Sequence, residues 1–174
     1  MSIWSTFYKN RVGNGYANYC RERYKPFINV ITNNINVKNM REEGCGIATI
    51  SKIIMQRVNI NLSMFDIDPD QVELSRENIN SNSPYIGSIF EKQGKTDLIF
   101  SHGVLEHFSD HDIRNILNRQ KEEANIVIHY VPTNMYKTPS FGDERLMSVE
   151  SWVNKFNPEY HFAFNNGHDL VLIF

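Results

Sequence analysis

The chain is poor in several things that define protein classes. It has 2 cysteines in 174 residues, Cys20 and Cys45, neither in a CxxC pair. That excludes a disulfide framework, and no Cys/His cluster has zinc spacing. The lack of a disulfide framework fits a reducing cytoplasm. No apolar run approaches the roughly twenty residues needed to span a bilayer, and Met1-Ser2-Ile3-Trp4-Ser5 lacks the charged and apolar regions of a signal peptide. The formal net charge is −2, so the overall charge balance calls for no nucleic-acid partner. There is no internal repeat and no low-complexity linker. What remains is an ordinary soluble composition, 41% hydrophobic and 22% charged, long enough for one domain with one core and too short for two.

Along the chain, strand and helix patterns alternate. Tyr16, Tyr19, Tyr24, Phe27, Ile28 and Ile31 recur at helical steps, predicting a helix over 15–34 that Pro26 breaks or kinks. Residues 36–43 are expected to form the first strand, an unusually polar one whose sizeable apolar residues are Val37 and Met40. Ile47, Ile50, Ile54 and Val58 share one helical face. Leu62, Met64 and Phe65 lead into Asp66 as a second strand. Asp68-Pro69-Asp70-Gln71 then reads as a helix start, with a capping carboxylate, proline at the first helical position and an amide three residues after the cap. Val72 and Ile79 face inward from that helix. A short strand is expected near Tyr85-Ile86, a buried strand at 97–101, and a helix capped at Ser109 with Ile113, Ile116 and Leu117 inside. Residues 126–131 are the most apolar strand and so interior. Helix 149–156 carries Trp152 and Phe156. Two apolar runs, 160–164 and 170–174, flank Asn165-Asn166-Gly167-His168, and Asn-Gly between such runs is a strong hairpin signal. Repeated alternation argues for a mostly parallel sheet with helices on both faces.

The densest signal is Glu42-Glu43-Gly44-Cys45-Gly46, followed about twenty residues later by Phe65-Asp66-Ile67-Asp68-Pro69. A glycine turn lets the backbone approach a ligand closely, and a carboxylate at the next strand end can accept both ribose hydroxyls of a nucleoside. Asp68 fills the helix cap, which leaves Asp66 for the crevice at the strand ends. Gly44-Cys45-Gly46-Ile47-Ala48-Thr49 offers only the beginning of G-x-G-x-x-G, which argues against nicotinamide redox chemistry.

From residue 36 to 174 these segments resemble, in order, the motifs of class I S-adenosylmethionine-dependent methyltransferases. Glu42 to Ala48 resembles the first motif, E-x-G-x-G-x-G, with Ala48 in place of the third glycine. Asp66 matches the acid closing the second strand. Gly87-Ser88-Ile89 stands where the family usually has an acid for the adenine amine, here replaced by Ser88. Asp97 to His107, ending in Val-Leu-Glu-His, resembles the segment leaving the fourth strand in many small-molecule methyltransferases. The resemblance implies a three-layer α/β sandwich with a seven-stranded, mostly parallel sheet whose last strand is antiparallel. It implies one domain over 1–174, with an N-terminal helical lid (1–35) and a Rossmann-like core (36–174).

The implied cofactor is S-adenosyl-L-methionine, the product S-adenosyl-L-homocysteine, and the acceptor a small molecule. The implied cofactor contacts are Arg11, Glu42, Gly44, Cys45, Gly46, Asp66, Ile67, Ser88, Ile89, Ser101 and His102. Glu42 would orient the turn or accept from the cofactor amine. Arg11 would pair with the methionine carboxylate, or else sit in solvent on a packed helix. His107 and His102 are candidate bases, because imidazole titrates near neutral pH; the alternative for His107 is a backbone bond that fixes its loop. His129 reads as a satisfied core histidine. Tyr130 and the loop 132–147, with Pro132, Pro139 and Gly142, are candidate walls of the acceptor pocket. No metal site, no membrane association and no nucleic-acid partner is expected, and the chain would be a monomer or homodimer. Two alternatives stand beside this. One is a non-catalytic or partner-dependent S-adenosylmethionine-binding subunit. The other is a nucleic-acid methyltransferase, against which stands the lack of Asn/Asp-Pro-Pro-Tyr/Phe after the fourth strand, where Ser101-His102-Gly103-Val104 is found.

Overall fold

The computed structural model describes residues 3–34, 36–138 and 143–174. Seven strands form one mixed sheet in the order β3-β2-β1-β4-β5-β7-β6. Two compact units divide the chain, Met1–Glu91 and Lys92–Phe174. The first contains the N-terminal helical segment together with the glycine turn and the first three strands.

In the first unit, α1 (Ile3–Tyr8), α2 (Asn14–Arg23) and α3 (Lys25–Thr32) precede β1 (Asn39–Glu43). The helix expected over 15–34 is two helices. Pro26 lacks the N–H a continuing helix needs, and instead occupies the first turn of α3, where that donor is unused anyway. β1 pairs in parallel with β2 (Asn61–Asp66), which pairs in parallel with the two-residue β3 (Tyr85–Ile86). Between them run α4 (Thr49–Arg57) and α5 (Pro69–Ile79). The inward face of α4 is Ile50, Ile53 and Ile54; Val58 lies just past its end, half-buried. Asp68 caps α5 by accepting from the Asp70 backbone N–H at 2.9 Å, with Pro69 in the first turn.

The polar composition of β1 has a physical explanation. Arg41 and Glu43 are two residues apart and so share one face of the strand. They form an ion pair at 3.0 Å with both side chains buried. Glu42 points the other way, where its carboxylate accepts from the Ser51 hydroxyl and, at 3.3 Å, from the Ser51 backbone N–H. Each buried charge has an internal partner, so the strand needs few apolar residues to sit inside.

In the second unit, β4 (Leu98–His102) pairs in parallel with β5 (Ile126–Pro132), and α6 (Asp110–Glu123) connects them. Ser109 caps α6 through the Asp112 N–H, and Ser148 caps α7 (Val149–Phe156) through the Ser151 N–H. β5 is buried along nearly its whole length. The hairpin forms as its Asn-Gly turn demands: Asn165, Asn166 and Gly167 all have positive φ, and β6 (Tyr160–Phe164) pairs antiparallel with β7 (Asp169–Ile173). β7 also pairs antiparallel with β5, so it lies between two strands.

The buried pair in β1 gives a direct stability test. Glu43→Ala takes from Arg41 its buried carboxylate and is expected to cost about 3–5 kcal/mol. The apolar double replacement Arg41→Met with Glu43→Leu should recover most of that loss. Urea denaturation measures both; a single-variant loss under about 1 kcal/mol would contradict this account of β1.

Candidate functional site

The glycine turn wraps the end of β2. The backbone N–H groups of Gly44 and Cys45 both donate to the Phe65 carbonyl, at 3.0 and 2.9 Å. Gly44 and Gly46 adopt φ of +73° and +52°, the left-handed region that glycine enters without penalty. This leads the Gly46 N–H onto the Asp66 carboxylate at 2.8 Å. The other carboxylate oxygen accepts from the Asp68 N–H at 3.0 Å. Burial raises the Asp66 pKa, while the N–H groups of Asp68, Gly46 and Ile67 hold it down. A carboxylate offers about four lone-pair positions, so these bonds leave capacity for a further donor.

Ala48 also has a left-handed backbone, φ +55°, at the N-cap of α4. This explains why a glycine is usual there, and an alanine carries a strain of roughly 1–2 kcal/mol. Ala48 has no side chain with which to cap α4. Glu42 reaches across from β1 to the Ser51 N–H in the first turn and takes that role. Burial pushes its carboxyl up to about 8, although the Ser51 bonds oppose the shift. Glu42 therefore sits beneath the turn as a prop. Cys45 is buried behind the turn, in a cluster with Ala48 and Met64; both cysteines are free.

Around Asp66 the chain exposes apolar side chains. Ile67 is 70%, Ile86 59% and Phe90 50% accessible. The Gly87 N–H donates to the Asp66 carbonyl at 3.0 Å, which ties the end of β3 to the end of β2. A Cβ on Gly87 would come within 3.2 Å of the Phe65 and Tyr85 rings, so those rings would have to shift slightly to admit one. The Ser88 hydroxyl accepts from the Phe90 N–H at 3.3 Å, and Ile89 is buried.

Arg11 is placed differently from the expected carboxylate contact. Its guanidinium lies 3.4 Å from the centroid of the Phe7 ring and donates to the Phe7 carbonyl. The Tyr8 and Tyr16 rings are each 5.8 Å away. Two links fasten this N-terminal segment to α5: Ser5 to Asp70, and the Gly13 N–H to the Asn78 side chain at 3.0 Å. Asn78 also accepts from Lys52 and donates to the Ile47 carbonyl at 2.8 Å, just past the glycine turn. Sequence reasoning missed Asn78. The signal was present, since Gln71, Val72, Ser75 and Asn78 recur at helical core spacing with polar identities.

In the second unit, the end of β4 carries the remaining candidates. The Ser101 hydroxyl does not face the strand's open end. It is buried against His129 Nδ1 at 2.7 Å, and His129 Nε2 meets Gln120 at 2.9 Å. Both ring nitrogens of His129 are thus satisfied, and burial together with nearby Arg119 pushes it down to about 3, a neutral core histidine. His102 stacks on Tyr130 with centroids 4.4 Å apart. Burial lowers it to about 4 against the pull of Asp169. Asp169, fully buried, accepts from both the Tyr130 and Tyr136 hydroxyls at 2.8 Å. His107 Nδ1 meets the Asp143 carboxylate at 3.1 Å. Pro132 ends β5, whereas Pro139 and Gly142 lie outside the described residues. Glu106, passed over in the sequence, is buried in the turn between them, and burial pushes its carboxyl up to about 8.

Residues 42–121 match the family described as a methyltransferase domain. That stretch contains the glycine turn, Asp66, Ser88 and the end of β4. Over these residues the chain is similar to that family. The methyltransferase fold extends over most of the chain. The PH0226 protein from Pyrococcus horikoshii superposes with a TM-score of 0.71 at 11% identity, over 88% of this chain and 89% of that one. Magnesium protoporphyrin IX methyltransferase from Synechocystis, solved with bound S-adenosylhomocysteine, gives 0.67 at 13%, over 88% and 81%. The small RNA methyltransferase HEN1 gives 0.72 at 13%, over 88% of this chain and 24% of that one. The enzyme class is methyl transfer and the cofactor S-adenosylmethionine. Among the described residues, no group of three or more His, Cys, Asp or Glu could hold a metal, and no helix is long and apolar enough to cross a membrane.

The two hydrogen bonds that Asp66 accepts predict a structural role. Asp66→Ala removes the acceptor for two backbone N–H groups and should destabilise by about 2–4 kcal/mol. Asp66→Asn, which keeps one acceptor oxygen, should lose less. A denaturation midpoint unchanged in Asp66→Ala would contradict the bonding described for the turn.

Proposed function

We propose that this methyltransferase acts on a small-molecule acceptor and that the cofactor is held by the glycine turn and Asp66. The observation that carries the reading is the hydrogen bond from the Gly46 N–H to the Asp66 carboxylate. It joins the two halves of the nucleoside motif, twenty residues apart in sequence. The residues fit the cofactor. Asp66 has lone pairs left for ribose hydroxyls. Gly44 and Gly46 present backbone without Cβ toward the methionine part. Ile67, Ile86 and Phe90 offer exposed apolar surface for the adenine plane. The Ser88 hydroxyl, which accepts from the Phe90 N–H, stands where the family's adenine-binding acid would be.

When bound, S-adenosylmethionine supplies an electrophilic methyl on a sulfonium. The protein's work is then mainly orientation and exclusion of water. A base is needed only where the acceptor must lose a proton. His107 suits that task better than His102. The Asp143 carboxylate on Nδ1 orients its ring, the logic of a carboxylate-imidazole pair. His102, held neutral by burial, is a weak base and a better ring wall. The near-balanced charge of −2 supports a small acceptor over a nucleic acid. A partner-dependent or non-catalytic subunit is the second reading. It is favoured by the internal engagement of Arg11, Glu42 and the Ser101 hydroxyl.

Calorimetric titration with S-adenosylmethionine, S-adenosylhomocysteine and NAD tests the proposal. Micromolar binding of the first two and none of NAD is expected, with at least ten-fold weaker binding in Asp66→Asn. Binding that is absent in the isolated chain would favour the partner-dependent reading, and equal affinity in Asp66→Asn would remove Asp66 from the site.

A further inference from the structure

Glu106 lies in the turn Leu105–His107 that follows β4, with only 3% of its surface accessible. Its Oε2 is buried without a hydrogen-bond partner. Gly103, at φ +70°, makes room for the carboxyl, since a Cβ there would stand 3.3 Å from Oε1. A neutral carboxyl tolerates such a place, whereas a carboxylate there has only the Glu106 backbone N–H to favour its charge.

The segment 143–147 is fastened over this turn by a few separate bonds. The Arg145 N–H donates to the Glu106 carbonyl at 2.9 Å. Asp143 pairs with His107 at 3.1 Å, and Arg145 pairs with Asp110 of α6 at 2.7 Å. Lys155 of α7 shares the same Asp110. At the far end, the Met147 carbonyl accepts from the Asn134 N–H at 3.0 Å. The cations Arg145 and Lys155 are thus committed to Asp110. The charges that act on the Glu106 carboxyl are those of Glu144 and Asp143, both carboxylates on the segment itself.

We propose that residues 143–147 are a pH-sensitive latch over the end of β4, held shut while the Glu106 carboxyl keeps its proton and loosened when it ionises. An ionised Glu106 is repelled by Asp143 and Glu144 and draws water, and the segment covering it must give way. The sign follows from the direction of the shift. With the latch shut, the Glu106 carboxyl stands at about 8 against an ordinary 4.5. The latch is therefore tightest below about 4.5, weakens as pH rises toward 8, and changes no further above it. The Asp110 carboxyl is lowered by Lys155 and Arg145, so its pairing is not lost in this window. The contact of His107 with Asp143 also fastens the segment, so variants must separate it from Glu106.

The test is the hydrogen-exchange protection of the Arg145 amide from pH 5 to 9, corrected for intrinsic base catalysis. It reads a local opening rather than turnover, so its outcome is independent of the cofactor and acceptor assignments. In the wild-type chain, protection should fall by up to about ten-fold per pH unit and level off near pH 8. Glu106→Gln should be flat across the range. His107→Ala should be less protected throughout yet keep a slope. Pairing Asp143→Asn with Glu144→Gln should move the levelling to lower pH, which keeps the test decisive if Glu106→Gln does not fold. A flat wild-type profile, an unchanged slope in Glu106→Gln, a slope abolished in His107→Ala, or an unmoved levelling point in the double variant would each overturn the latch.

Discussion

The hydrogen bond from the Gly46 backbone to the Asp66 carboxylate fixes the geometry on which the candidate site depends. It can form only because Gly44 and Gly46 take left-handed backbone conformations, and because parallel pairing sets the end of β1 beside the end of β2 in register. Once made, it fastens the turn to β2, while the second oxygen of Asp66 fastens the start of α5. Charge-assisted bonds to backbone donors are among the stronger local interactions in a protein. The same carboxylate that organises the turn is left with capacity for ligand hydroxyls.

The polar first strand follows a related rule. A strand interior to a sheet usually satisfies burial with aliphatic residues. Here Arg41 and Glu43 neutralise each other on one face, and Glu42 turns to the other to bond the first turn of α4. This last contact compensates for Ala48, which occupies a left-handed cap position without a capping side chain. Polar pairing and helix capping are the same device, used on opposite faces of five residues. The second unit repeats the theme with the buried chain Ser101–His129–Gln120 and with Asp169 holding two tyrosines.

Much of this was legible in the sequence because the signals were local. The caps at Asp68 and Ser109, the Asn-Gly hairpin and the alternation of strand and helix all follow from short spacings and turn chemistry. So did the glycine turn and its acid. What the sequence hid were partnerships between distant residues. Nothing near Arg11 shows that its guanidinium will rest on Phe7 instead of facing a ligand carboxylate. Nothing near Ser101 shows that His129, from the next strand, will draw its hydroxyl inward. Glu106 looked like part of a motif, and its burial depends on a segment some forty residues later. The break expected at Pro26 within 15–34 falls slightly earlier, after Arg23, because the proline settles into the first turn of α3.

The claim that most needs direct support is that the ends of β1, β2 and β3 together hold the cofactor's nucleoside. Amide NMR shifts during titration with S-adenosylhomocysteine test it residue by residue. The account predicts the largest changes at Gly44, Gly46, Ile67 and Ser88, saturating together at one affinity. Changes confined to other regions, or none at these four amides at saturating ligand, would contradict it.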